Sequence, residues 1–166
     1  MRHAYYSYTR EELLSNNPKL PVLVMENNEA VFRSMAEEMA EEIKSHNEKG
    51  EKTVFICPVG PVGQYPFFVE KVNTEKISLK NVWFINMDEY LEDDKKWVPE
   101  THPLSFRGFM NREVYGKIEK ELLMPEEQRV FPDPENLGYI PELIEKLGGV
   151  DICFGGIGIN GHVAFN

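Results

Sequence analysis

Hydrophobic residues fall along this chain in two rhythms. Thr53–Cys57, Val82–Asn86 and Val150–Phe154 are short continuous apolar runs, the pattern of strands buried on both faces of a parallel sheet. Elsewhere the spacing is helical: Val31, Phe32, Met35, Met39 and Ile43 recur on one face, with Glu37, Glu38, Glu41 and Glu42 on the other. Asn27 or Asn28 can cap the start of that helix and Gly50 can stop it. Further helices are predicted over about 65–73, about 104–122 and, after the proline-rich stretch 132–134, about 137–147. Pro21–Met25 reads as a strand at the sheet edge. The polar residues 1–20 read as an N-terminal arm, which leaves 21–166 as one domain. Strand–helix–strand alternation predicts an open α/β fold, a mostly parallel sheet with helices on both faces.

Composition narrows the class. Hydrophobic residues make up 42% and charged residues 28%, ordinary for a globular chain. The 28 Asp and Glu outnumber the 18 Lys and Arg, which argues against nucleic acid, since a phosphate backbone needs clustered cations. No apolar run is long enough to span a membrane, and the first residues lack the apolar core of a secretory signal, so a cytoplasmic protein is expected. Cys57 and Cys153 each end an apolar run and are expected as small buried hydrophobes rather than a disulfide.

In open α/β sheets ligands bind beyond the carboxyl ends of the strands, which singles out three segments. The first is Asn86-Met87-Asp88-Glu89-Tyr90, where Asp88 is a candidate general base or a turn cap, and Glu89 a ligand contact or a solvated charge. The acidic residues Glu92, Asp93 and Asp94 match no calcium loop and, with Lys95 and Lys96 beside them, read as a solvated loop. The second segment is Gly155–Asn166. Gly156, Gly158 and Gly161 formally match a dinucleotide fingerprint, but that reading is set aside, because the fingerprint needs an amphipathic helix after it and an acidic residue about 20 positions on. Gly158 and Gly161 can still let backbone approach a ligand, and His162 is a candidate acid/base, or a structural histidine. The third segment, Pro58–Pro66, offers Gly60 and Gly63. It is a poor phosphate cradle, because three prolines remove donors and no Ser, Thr or Lys replaces them.

Three stretches in register resemble the glucosamine-6-phosphate deaminase/isomerase family, within the wider glucosamine-6-phosphate isomerase/6-phosphogluconolactonase superfamily. They are Phe84-Ile85-Asn86-Met87-Asp88-Glu89-Tyr90, then His102-Pro103-x-Ser105-Phe106-x-x-Phe109-Met110, then Gly156 through Asn166. The ending Ala164-Phe165-Asn166 favours the deaminase branch over the lactonases. The resemblance implies a Rossmann-like sheet and an enzyme that opens a sugar-phosphate ring, moves a proton between C2 and C1 and releases ammonia. Asp88 matches the proton-shuttling carboxylate, His162 the ring-opening histidine, and Asn160 a neighbour that is Asp or Asn in members. The implied partner is a small sugar or sugar phosphate, with no metal or redox cofactor, no nucleic acid and no membrane; a homo-oligomer stays open.

The chain departs from the family pattern at three points. The first loop lacks the family's Ser-Thr pair and has Val59 in place of Thr; the loop Leu91–Thr101 is longer and carries Trp97, so a different lid is expected over the crevice. The family also continues past the position of Asn166 with Glu-Pro and further elements, including a Glu that orients the histidine and basic residues for the phosphate. Residues 1–166 alone are therefore expected to show no appreciable deamination. Two alternatives stand beside this reading: isomerase or hydrolase chemistry on a different sugar, phosphorylated or not, and a non-catalytic sugar-binding module.

Overall fold

The computed structural model describes residues 7–15 and 20–164. Parts of the predicted arm, and Phe165 and Asn166, lie outside them. Within the arm, Arg10–Ser15 form a short helix, α1.

Helix α2, Asn28–Lys49, begins where Asn27 accepts the Ala30 N–H at 2.9 Å and ends at Gly50, whose φ of 71° lies in the left-handed region. Its buried stripe is Ala36, Met39, Ala40 and Ile43, while Val31 stays exposed. The small residues let α2 lie close against α3 (Gln64–Glu75), which buries Phe68 and Val72. Strand β1 is Thr53–Cys57 and β2 is Val82–Asn86; they pair in parallel from Thr53↔Val82 to Cys57↔Asn86. Helix α4 covers Phe106–Glu113, shorter than predicted: it ends at its cap Val114 and a 3-10 turn, Tyr115–Lys117, follows. Strand β3, Arg129–Val130, helix α5, Tyr139–Leu147, and strand β4, Ile152–Cys153, complete the order.

The sheet runs β3-β2-β1-β4, all pairs parallel. From β1 the chain steps through α3 and α4 to β2 and β3, then returns through α5 to the other side of β1. Right-handed crossovers put α5 on the opposite face from α3 and α4 when the direction reverses. The packing agrees: Phe55 and Phe84 meet Phe68 and Met110 on one face, while Val54, Ile85 and Val130 meet Leu143 on the other. The reversal makes the gap between the carboxyl ends of β1 and β4 a topological switch point, where ligands bind in such sheets.

Two expectations are corrected. Pro21–Met25 is not a strand: the segment has no regular structure and Val22, Leu23 and Val24 are exposed, because apolar side chains alone do not supply a hydrogen-bonded neighbour. Cys153 is exposed rather than buried, since β4 pairs only with β1 and its outer edge is open among the described residues. Cys57 is fully buried, and burial pushes its thiol up, so it stays protonated. Both cysteines are free.

Candidate active site at the carboxyl ends of the strands

Each strand end delivers one wall of a cleft. After β1, Pro58, Val59 and Gly60 form the first wall; after β2, Met87, Asp88 and Tyr90 form the second; after β4, His162, Val163 and Ala164 form the third. Phe106 from the start of α4 closes the side, and the cleft has a volume of about 210 Å³. Asp88 and His162, distant in sequence, thus face one space at the switch point.

The walls are held by specific contacts. Met87 N–H donates to Cys57 O at 3.1 Å and Phe154 N–H to Ile56 O at 2.9 Å, extending the sheet's ladder into both loops. The buried Tyr65 hydroxyl donates to Pro58 O at 2.5 Å, tying α3 back to the end of β1. Burial holds that phenol well above its ordinary pKa, so it stays a neutral donor. A Cβ on Gly156 would come within 2.6 Å of Pro61 Cδ, so the first and third walls touch where Gly156 has no side chain.

The histidine loop is compact. Gly158 N–H donates to His162 O at 2.8 Å and Gly161, at φ +84°, turns the chain and donates to Gly158 O at 2.8 Å. The imidazole lies over Gly158: a Cβ there would be 2.1 Å from His162 Cε1. Asn160 Oδ1 is hydrogen-bonded to His162 Nδ1. An amide oxygen only accepts, so in neutral His162 the proton sits on Nδ1 and Nε2 carries the lone pair.

The remaining candidates are placed differently. Gly60 lines the cleft, with φ +130°. Gly63 packs against α2, where a Cβ would meet Phe32 Cδ2 at 2.2 Å. Glu89 is not among the cleft-lining residues, and its side chain, 1% exposed, is engaged with the start of α4. Trp97 does not cover the cleft either: its indole N–H donates to Pro132 O at 2.8 Å and its ring stacks under Arg107, 4.3 Å away. The Leu91–Thr101 loop instead walls two other cavities: Trp97 and Glu100 line one of about 590 Å³ beside β3, and Leu91–Asp94 and Val98 line one of about 540 Å³ that adjoins the cleft at Tyr90. Glu92, Asp93 and Asp94 are exposed, as a solvated loop should be.

A further cavity, of about 570 Å³, lies at the amino ends of the strands, near His46 and Asp151. There Glu42, His46 and Asp151 bring one potential ligand atom each within 4.8 Å of one another. These groups are tied to the fold: His46 Nε2 lies 3.3 Å from Glu42, its Nδ1 3.1 Å from Thr53 Oγ1, and Asp151 Oδ2 accepts the Val54 N–H at 2.7 Å. The cluster clasps α2 to the sheet. This cavity and the one beside β3 lie away from the switch point, and neither is marked in the sequence, because their lining comes from scattered positions without a motif.

Comparison with known proteins agrees with the motifs. No family model matches the chain. Among curated proteins, the glucosamine-6-phosphate deaminase of Phocaeicola vulgatus is 31% identical over 154 residues, 87% of this chain and 55% of that protein. The deaminase of Borrelia garinii is 31% identical over 143 residues, covering 83% and 52%. The chain therefore spans about half the length of the curated relatives it matches. Of solved structures, a monomeric glucosamine-6-phosphate deaminase superposes with a TM-score of 0.72 at 25% identity, over 88% of this chain and 58% of that one. The 6-phosphogluconolactonase of Thermotoga maritima superposes at 0.53 with 20% identity, over 78% and 59%, a likeness of fold alone. No helix among the described residues is long and apolar enough to cross a membrane. Over the residues it spans, this chain is related in both sequence and fold to the glucosamine-6-phosphate deaminase/isomerase family.

Proposed function

We propose that the cleft serves the conversion of glucosamine 6-phosphate and water to fructose 6-phosphate and ammonia. The observation that carries this reading is the joint presence of Asp88 and His162 on one cleft at the switch point. His162 Nε2 exchanges a proton with the ring oxygen, which opens the sugar to an aldehyde with an amine at C2. Asp88 takes the C2 proton and returns it to C1 while one amine proton passes to O1, leaving a hydroxyl at C1 and an imine at C2. Water adds there and ammonia departs. A carboxylate and an imidazole suffice for these proton transfers. Asn160, through His162 Nδ1, sets the tautomer.

A second reading, a sugar without a phosphate, is favoured by the first wall. None of the described residues lining the cleft is Lys or Arg. At the start of α3, Tyr65 N–H is already bonded to Val62 O at 3.2 Å and Pro66 has no N–H, so this helix end has few donors left for an anion. The third reading, binding without catalysis, keeps the cleft and loses only turnover.

Titration of the chain with glucosamine 6-phosphate and with glucosamine, followed by NMR, tests the site and the weak phosphate cradle. We expect the amide signals of Gly60, Asp88 and His162 to move with both sugars, with dissociation constants within about threefold of each other. A strong preference for the phosphorylated sugar, abolished by changes in Pro58–Pro66, would reject the weak-cradle account. Signals that move elsewhere and not at these residues would reject the site.

A further inference from the structure

Glu89 sits between two cleft residues, Asp88 and Tyr90, yet its carboxylate turns away from the cleft into the protein. Oε1 accepts the backbone N–H of Phe106 at 2.8 Å and of Tyr90 at 2.9 Å. Oε2 accepts the backbone N–H of Arg107 at 2.8 Å, the Arg107 Nε–H at 3.2 Å and the Ser105 hydroxyl at 3.2 Å. Ser105 in turn accepts the Gly108 N–H at 3.1 Å and so caps α4. An almost fully buried carboxylate is tolerated only when its lone pairs are met by donors, and here five donors meet it, one of them cationic. It also stands at the positive end of α4, which favours a negative charge.

We infer that Glu89 is a positioning residue: it locks the Asp88–Tyr90 segment onto the N-terminus of α4 and thereby sets where the Asp88 carboxylate stands in the cleft. This rests on the reading of Asp88 as the proton carrier. The lock joins two cleft walls directly, since Phe106, whose N–H bonds Glu89, lines the cleft together with Asp88 and Tyr90. The Tyr90 and Phe106 rings meet edge to face with centroids 5.1 Å apart, so displacing one wall displaces the other. Arg107 extends the lock outward. Its Nη2 donates to Val98 O at 2.8 Å and its guanidinium stacks on Trp97, so the long Leu91–Thr101 loop buttresses the carboxylate's partner. That gives the loop a use other than a lid.

Glu89→Gln tests the role. The substitution keeps the shape but turns one acceptor into a donor, and that NH2 then opposes the Phe106 or Arg107 N–H. In the whole protein kcat for C2 proton exchange should fall about 100-fold while KM changes less than about twofold, the signature of misplacement rather than lost binding. In residues 1–166 the Tyr90–Phe106 ring cross-peaks should weaken. Unchanged ring contacts, in a chain whose Phe106 and Arg107 amides have shifted, would overturn the inference. Should Glu89→Gln fail to fold, Arg107→Met removes the ion pair and leaves the backbone bonds; it should weaken the same ring cross-peaks, and unchanged cross-peaks would overturn the role. If the unaltered protein turns over no amino sugar, the functional reading fails on its own, and the ring contacts still decide whether Glu89 fixes the wall that carries Asp88.

Discussion

Asp88→Asn is expected to stop exchange of the sugar's C2 proton in the whole protein while ligand binding stays nearly unchanged. Asn has the size and polarity of Asp but cannot take up a proton at neutral pH, so the substitution removes the transfer and little else. A positioned general base contributes about 10²–10⁴-fold, and a loss in that range is the expected reading in deuterated water. The binding arm matters equally. Asp88 contacts the cleft from the end of β2, whose neighbour Asn86 is 2% exposed and donates from Nδ2 to Val130 O at 3.1 Å. The strand end is thus anchored independently of the carboxylate, and the dissociation constant should change by less than about threefold. Full exchange with Asn at 88 would remove the carboxylate from the mechanism.

Gly158→Ala should impair turnover almost as much as removing His162, although it adds one methyl group. The new Cβ would lie within 2.1–2.6 Å of Cε1, Nδ1 and Nε2 of the imidazole, distances that carbon never accepts, so the ring must swing off the loop. The backbone φ of Gly158 lies outside the left-handed region, so the change strains the ring's place and not the chain. Loss of about 100-fold in kcat is expected, with thermal stability altered little, because the loop is exposed and outside both cores. Chemistry sharpens the test. If His162 opens the ring, an open-chain analogue that cannot close should be processed nearly as well by Gly158→Ala as by the unaltered protein. Equal losses on closed and open sugars would place His162 at some other step.

What could be read in advance depended on whether a residue's neighbours were near it in sequence. Strands β1 and β2 were legible because Val54–Cys57 and Val82–Ile85 are continuously apolar and bounded by turn residues. Strand β3 was not: Arg129–Val130 is two residues long, begins with an arginine, and becomes a strand only because it lies in register with Phe84 and Ile85. Pro21–Met25 has the composition of a strand and no partner, the converse case. The overextension of α4 had a visible signal in Gly116, which sits three residues past the helix, where a Cβ would meet Asn111 O at 2.7 Å. At the cleft, Asp88 and His162 were marked by their place at strand ends and by the family resemblance, while Asn160, beside His162, was marked by the resemblance alone. Gly63 and Glu89 show the limit. Both sit in the expected loops, but Gly63 answers to Phe32 from α2 and Glu89 to the start of α4, partners that only the folded chain brings to them.

The most direct test of this account is a crystal structure of residues 1–166 with glucosamine 6-phosphate bound. The account predicts the sugar between the β1, β2 and β4 loops, with C1 and C2 beside the Asp88 carboxylate and the ring oxygen beside His162 Nε2. A sugar seated instead in the cavity walled by Trp97, Arg107 and Arg129, or at the amino ends of the strands beside His46, would contradict it.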